Sequence, residues 1–244
     1  MSRLKDGHYL VARLETAFRP GPWDFAEREA ERIAALWAQA RKQKPKLFDG
    51  QVLLMRHAEI VATPDGDVLR GDFFATNFRN FLALFALGAG ETDVYNCFSM
   101  AALRTRDGAF LLGEMSAHTL NAGQIYFAAG TPDLSDVFGA KVDLGASVAR
   151  EMAEETGFTA AEAPAGEGWS LQVSGAKIAC IQSRLLSLTA EQALARGAEF
   201  LARDNDPEFT RLHAVFGPQD IDPARTPDFI QTFLRESFAA QPCG

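Results

Sequence analysis

The run NCFSMAALRTRDGAFLLGEM, residues 96–115, constrains the fold more than any other stretch of the chain. Two apolar segments flank Asp107-Gly108, and that pair supplies the backbone freedom a tight turn between antiparallel strands needs. The residues after it alternate in type. QIYFAAG reads as a strand ending on Gly130, GTPDLSDVFG as a loop, and DLGASVAREMAEETG as a helix ended by Gly157. GAKIACIQSRLLSL is a strand, TAEQALARGAEFLAR a helix, FTRLHAVF a strand and PDFIQTFLRESF a terminal helix. This order predicts an α/β fold, a mixed sheet covered by helices on both faces.

Upstream, YLVARLETAF (residues 9–18) reads as one strand stopped by Pro20, Gly21 and Pro22. Asp24 with Glu27 three residues on signals a helix start. Phe25, Ile33, Trp37 and Ala40 then recur at helical spacing, and the helix should end before Pro45. QVLLMRHAEIVA is a strand followed by the turn TPDGD, and NFRNFLALFALG a helix closed by Gly88. The character changes near Tyr95, which divides the chain into an N-terminal extension, 1–94, packed on a core of 95–244. A chain of 244 residues can bury such a core without staples.

Charge and cysteine usage exclude several classes. The net charge of -8 offers no broad basic footprint, which argues against nucleic acid or an anionic membrane as partner. Cys97, Cys180 and Cys243 are scattered, with no C-x-x-C pair, so neither a disulfide framework nor a zinc knuckle is expected. No segment has the length and apolarity of a membrane span or a secretory leader. The expectation is a cytoplasmic protein, with the oligomeric state open and a homodimer allowed.

The chemistry-bearing stretch is REMAEETGF, residues 150–158. At about 100° per residue, Glu151, Glu154 and Glu155 fall within an arc of roughly 100°. Ala149, Met152 and Thr156 lie opposite, where they can pack on a sheet. Spacing alone allows two readings. One is a solvated acidic face, mildly unfavourable through like-charge repulsion. The other is a divalent-cation site, in which the cation turns that repulsion into attraction and is shared with substrate phosphates.

Arg150-Glu151-Met152-Ala153-Glu154-Glu155-Thr156-Gly157-Phe158 resembles the second half of the Nudix box. That signature is Gly, five residues, Glu, seven residues, then Arg-Glu-aliphatic-x-Glu-Glu-x-Gly-aliphatic. The resemblance implies an α/β/α sandwich and hydrolysis of nucleoside diphosphates linked to another group. It also implies Mg2+ (or Mn2+) as cofactor, Glu151, Glu154 and Glu155 as metal ligands, and Arg150 as the residue that orients a glutamate. Arg150, Glu151 and Glu155 are thus the expected catalytic residues. The first half of the box departs. Counted without gaps, Asp136 stands at the glycine and Val142 at the isolated glutamate. If Gly130 is the box glycine, it lies 20 positions before Arg150, so the loop is six residues longer than the pattern. Asp133, Asp136 and Asp143 are the acids in that loop, Asp143 also suiting an N-cap. Glu199, Asp206 and Glu208 are candidates for the further acid that such enzymes often draw from a later segment.

Trp37, Pro45, Leu47, Phe48 and Asp49, with Thr76, Asn77, Arg79, Phe81 and Leu82, resemble the N-terminal region of animal Nudix proteins that hydrolyse UDP-glucose and UDP-galactose. Together the resemblances imply a small-molecule nucleotide as partner, with a nucleotide sugar preferred, split into nucleoside monophosphate and sugar 1-phosphate. The alternatives are a catalytically weak nucleotide-binding module and an ADP-ribose-type pyrophosphatase. LLMRHAE (residues 53–59) resembles the start of histidine phosphatases, with Ala58 in place of their glycine. A strand-end basic pair is the plainer reading of it, and structural roles are the plainer reading of His118 and His213.

Overall fold

The computed structural model describes residues 3–88 and 93–240; Cys243 lies outside them. The N-terminal part contains β1 (Gly7–Val11), β2 (Arg13–Phe18), α1 (Asp24–Arg28), α2 (Ala30–Gln43), β3 (Gln51–Val61), β4 (Val68–Asn77) and α3 (Phe78–Ala86). There follow β5 (Val94–Arg104), β6 (Phe110–Met115), β7 (Ile125–Tyr126), β8 (Ala128–Gly130), β9 (Val137–Phe138), β10 (Lys141–Val142) and α4 (Leu144–Thr156). The chain then forms β11 (Trp169–Ser174), β12 (Lys177–Leu185), α5 (Ala190–Leu201), β13 (Phe209–Val215) and α6 (Asp228–Ala239). Among the described residues, no helix is long and apolar enough to cross a membrane.

The strands form a mixed sheet with helices on its faces, the α/β architecture read from the sequence. β5 is its hub. It runs parallel to β12 (Cys97 opposite Ile178, Leu103 opposite Arg184) and antiparallel to β6 and β8. Its first residues pair with β3, which joins β4, β2, β10 and β9 to the rest. Side chains along β5 alternate with period two. Phe98, Met100 and Ala102 enter an apolar cluster with Ile230, Phe233 and Leu234 of α6. Ala101 and Leu103 enter one with Val148 and Met152 of α4 and Ala193 of α5. β5 is therefore buried on both sides, as a central strand between two helical layers must be.

Four expectations are revised. Residues 9–18 form two strands, not one. β1 zips antiparallel to β11 (Tyr9 opposite Leu171), whereas β2 runs parallel to β4 (Arg13 opposite Val68). Between them the Ala12 amide donates to the Asp67 carbonyl at 2.7 Å, which turns the chain from one set of partners to the other. β4 and β11 were hidden because VLRGDFFATN and WSLQVS lack clean alternation; both are held by neighbours on two sides. The first helix is interrupted at Glu29, and Trp23, not Asp24, stands at its N-cap, with no side-chain cap. The loop after Gly130 contains a 3-10 turn over Leu134–Asp136 and the hairpin β9–β10, whose Lys141 pairs with Ala17 of β2.

Candidate functional site

The helix α4 is fixed at both ends by its sequence. Asp143 accepts a hydrogen bond from the Ala146 amide at 2.9 Å, a side-chain N-cap. Gly157 ends the helix with φ of 74°, a left-handed turn that glycine adopts without strain. Met152 and Val148 are buried against β5, and Phe158 is buried just beyond the C-cap. Burying such a side chain contributes roughly 1.5–3 kcal/mol. The helix is thereby locked in one rotation about its axis, and that rotation decides where the acids point.

The three glutamates do not share one target. Glu151 and Glu155 face an open cavity of about 630 Å3, and Glu208, from the segment entering β13, lines the same cavity. Glu154 does not line that cavity; 60 % of its side chain is exposed, and its carboxylate lies 3.4 Å from the same Arg150 nitrogen that holds Glu151. The backbone of β8 explains the split. The Ala129 amide donates to Glu155 Oε2 at 3.0 Å, drawing that carboxylate inward although the residue is only 6 % exposed. Gly130, next in the strand, makes room for Glu151. A Cβ built on Gly130 would lie 2.0 Å from Glu151 Oε1 and 2.3 Å from its Cδ.

Arg150 braces this arrangement from outside the cavity. One guanidinium nitrogen donates to Glu151 Oε1 at 2.8 Å. The other donates to both oxygens of Asp136, at 3.1 and 3.3 Å. Asp136 is 2 % exposed and also accepts the Asp133 amide at 3.1 Å, closing the 3-10 turn. A fork of this kind fixes orientation as well as charge. The long loop after Gly130 thus returns an acid to Arg150. Asp133 accepts from the Ser135 amide, and Asp143 caps α4, so the other loop acids serve local turns.

The later acids separate equally clearly. Asp206 binds Lys46 at 2.9 Å, and Glu199 lies exposed on α5, 3.9 Å from Arg203. Of Glu199, Asp206 and Glu208, Glu208 is the one at the cavity. His118 also lines it, its Nδ1 3.5 Å from Asp206. His213 instead lies 3.1 Å from Glu114, which also holds Arg211 and Arg225. His57 does not line the cavity. It sits at a bulge within β3, with φ of 56°, 3.3 Å from Asp72 and 3.8 Å from Asp93. The basic pair Arg56-His57 is therefore mid-strand, not at a strand end.

Electrostatics distinguish the inward carboxylates from ordinary surface acids. Desolvation pushes Glu151 up to about 7; Arg150 opposes this, and the charges of Glu154 and Glu208 add to it. Glu155 is pushed well above the usual range by burial, by Glu208 and by Glu151. Residues whose environment penalises their charged form inside a cleft are candidates for chemistry.

A divalent cation fits these residues by the chemistry of the donors. The carboxylates are hard oxygen donors, they repel one another, and Glu151 and Glu155 open onto the cavity. They do not form a closed cage: among the described residues no three His, Cys, Asp or Glu side chains are gathered into a ready metal-holding group. Mg2+ commonly completes its shell with water and substrate phosphate oxygens, so a cage is not required.

Size alone would not single out this cavity. A groove along β2 and β10 is larger, about 700 Å3, but Glu15 there is tied to Arg13 and Arg70 and Asp143 to the helix cap. What sequence reasoning missed lies opposite the glutamates. Phe78, Phe81 and Phe85 of α3 form an aromatic wall, and Tyr126, Phe229 and Lys177 complete the far end. Phe81 alone of these had been singled out; the others come together only through the fold.

No family model and no curated protein matches the chain. Solved structures do show likeness. RenU, a Nudix hydrolase from M. smegmatis, aligns with a TM-score of 0.40 at 14% identity, over 63% of this chain and 94% of that one. A Nudix hydrolase from Nitrosomonas europaea aligns with a TM-score of 0.41 at 18% identity, over 60% of this chain and 89% of that one. The Nudix domain of Shewanella oneidensis NrtR, solved with ADP-ribose, aligns with a TM-score of 0.35 at 17% identity, over 55% and 80%.

Proposed function

We propose that the chain is a divalent-cation-dependent hydrolase of Nudix type. It would cleave the diphosphate of a nucleoside diphosphate linked to another group, with a nucleotide sugar preferred. The observation that carries this reading is the convergence of Glu151, Glu155 and Glu208 on one cavity, two of them with raised proton affinity. The REMAEETGF resemblance names the chemistry.

In this reading Glu151, Glu155 and Glu208 hold the cation, and Arg150, anchored on Asp136, keeps Glu151 in its bound orientation. A bound divalent cation supplies Lewis-acid stabilisation of phosphoryl oxygens and a water of lowered pKa. The Glu155–Glu208 pair then takes the proton of the attacking water. An oxygen–phosphorus bond forms, the bridging oxygen–phosphorus bond breaks, and the departing phosphate keeps the bridging oxygen. Residues 1–94 contribute the aromatic wall of α3, which shields the substrate from bulk water. The products are a nucleoside monophosphate and a sugar 1-phosphate.

The test is turnover on a panel of nucleotide sugars, ADP-ribose, dinucleoside polyphosphates and nucleoside triphosphates, with Mg2+ or with EDTA. Phosphate released after added phosphatase is the readout. The expected result is cation-dependent release, greatest for nucleotide sugars. Absence of cation-dependent release across the panel would reject the hydrolase and leave a binding module.

A further inference from the structure

The groove of about 700 Å3 along β2 and β10 shares no lining residue with the glutamate cavity and takes no part in the proposed reaction. Leu14, Phe18, Phe138, Leu144 and Trp169 give it apolar walls, and Phe138, on the edge strand β9, is 58 % exposed. The rings of Phe18, Phe138 and Trp169 form no stacked or edge-on pair among the described residues. The walls therefore make no slot for a flat ring, but they accept a flexible chain. Arg13, Arg19, Lys141, Glu15 and Asp143 line the same groove, and four of these charges are already committed. Glu15 lies between Arg13 and Arg70, at 3.0 and 2.7 Å. Arg19 donates to Asp72 at 3.2 Å. The Asp143 carboxylate accepts the Ala146 amide at the N-terminus of α4, where the helix dipole offsets its charge. Lys141, exposed on β10, makes no hydrogen bond or ion pair with a described residue. Behind Gly145 of the groove wall stands Arg184, 5 % exposed, which donates to the Gly145 carbonyl at 3.3 Å and to the Ala163 carbonyl at 3.5 Å. It has no acid partner among the described residues, and a buried guanidinium without a counter-ion keeps this end of the groove positive.

We infer that this groove binds a small amphipathic carboxylate, its alkyl chain along the apolar walls and its head at Lys141. The site is independent of the hydrolase reading. The walls retain the chain in proportion to the apolar area taken from water. The one uncommitted charge is an ammonium, which donates to a carboxylate, cannot accept, and repels a cation. The chain as a whole carries a net charge of -8, which by itself would favour a cationic ligand, so the preference for an anion comes from this local rim. A second copy of the chain would also cover Phe138. A two-fold contact here, however, brings Arg13, Arg19 and Lys141 of both copies to one surface. A small anion meets Lys141 without that repulsion.

Calorimetric titration of the whole chain in EDTA with hexanoate, octanoate, octyl glucoside and octyltrimethylammonium tests this without requiring turnover. Octanoate should bind with Kd below about 1 mM and roughly 10-fold more tightly than hexanoate, since two methylenes leave the apolar wall. It should exceed octyl glucoside about 5-fold, the effect of one exposed ion pair, and octyltrimethylammonium by at least about 10-fold. Lys141→Met should bring the ratio of octanoate to glucoside affinity close to one, and Phe138→Ser should weaken both ligands alike. Both side chains are exposed, so these variants keep the fold. Equal binding of octanoate and octyltrimethylammonium, octanoate binding weaker than millimolar, or a ratio unchanged in Lys141→Met would each overturn the assignment. So would a chain that is dimeric by light scattering and becomes monomeric in Phe138→Ser, which would give the groove to a second copy. Octanoate preference in a protein without cation-dependent turnover supports the groove and rejects only the hydrolase.

Discussion

Replacing Gly130 by alanine places a methyl carbon where Glu151 now stands. The new Cβ would fall 2.0 Å from Oε1, 2.3 Å from Cδ and 2.6 Å from Cγ of Glu151. Ordinary contact begins near 3.4 Å, so the carboxyl group must retreat by more than 1 Å, losing its bond to Arg150 as it goes. A misplacement of about 1 Å at a reacting centre costs on the order of 100-fold in rate. Gly130 has no positive φ, so alanine meets no backbone strain, and a shorter list of unfolded conformations offsets part of any repacking cost. Gly130→Ala should therefore lower kcat/KM roughly 100-fold and move Tm by only a few degrees. In a Glu151→Gln background the same substitution should add little, because both act on one carboxylate. Retention of full activity by Gly130→Ala, with unchanged Tm, would show that the position of Glu151 is immaterial to the reaction.

Further substitutions and conditions separate the roles. Glu155→Gln should reduce cation-dependent turnover by at least about 100-fold while raising Tm in EDTA, since it removes a buried charge repelled by Glu208 and Glu151; activity assays and thermal melts at pH 8 check both. Asp136→Asn leaves Arg150 without its buried anionic partner and should cost about 1–3 kcal/mol in urea denaturation, with a smaller loss of rate. The metal-free protein should lose stability as pH rises from about 4.5 to about 7. There folded Glu151 still holds a proton that the unfolded chain has released, a difference of at most roughly 3 kcal/mol. Mg2+ should flatten that slope, which melts with and without EDTA across the range will read.

The core's element order was legible because each signal was local. Asp107-Gly108 marked a hairpin and Gly157 a helix end, and each stands where its chemistry requires. β4 and β11 were not legible although each pairs with its neighbour along the chain, β3 and β12, because VLRGDFFATN and WSLQVS lack clean alternation. The glutamate helix was readable as a helix, but the rotation that sends Glu154 outward and Glu155 inward is set by the packing of Met152 and by the amide of Ala129. The salt bridge from Arg150 to Asp136 bridges a loop whose 3-10 turn gives no clear sequence signal.

The central claim is that Glu151, Glu155 and Glu208 hold a divalent cation. Anomalous diffraction from crystals soaked in Mn2+ reads this directly. The account predicts a peak in the cavity within about 2.0–2.3 Å of oxygens of Glu151 and Glu155, with Glu208 bound directly or through water, and its loss in Glu155→Gln. A cavity without a peak at saturating Mn2+, or a peak that survives the loss of the Glu155 carboxylate, would contradict it.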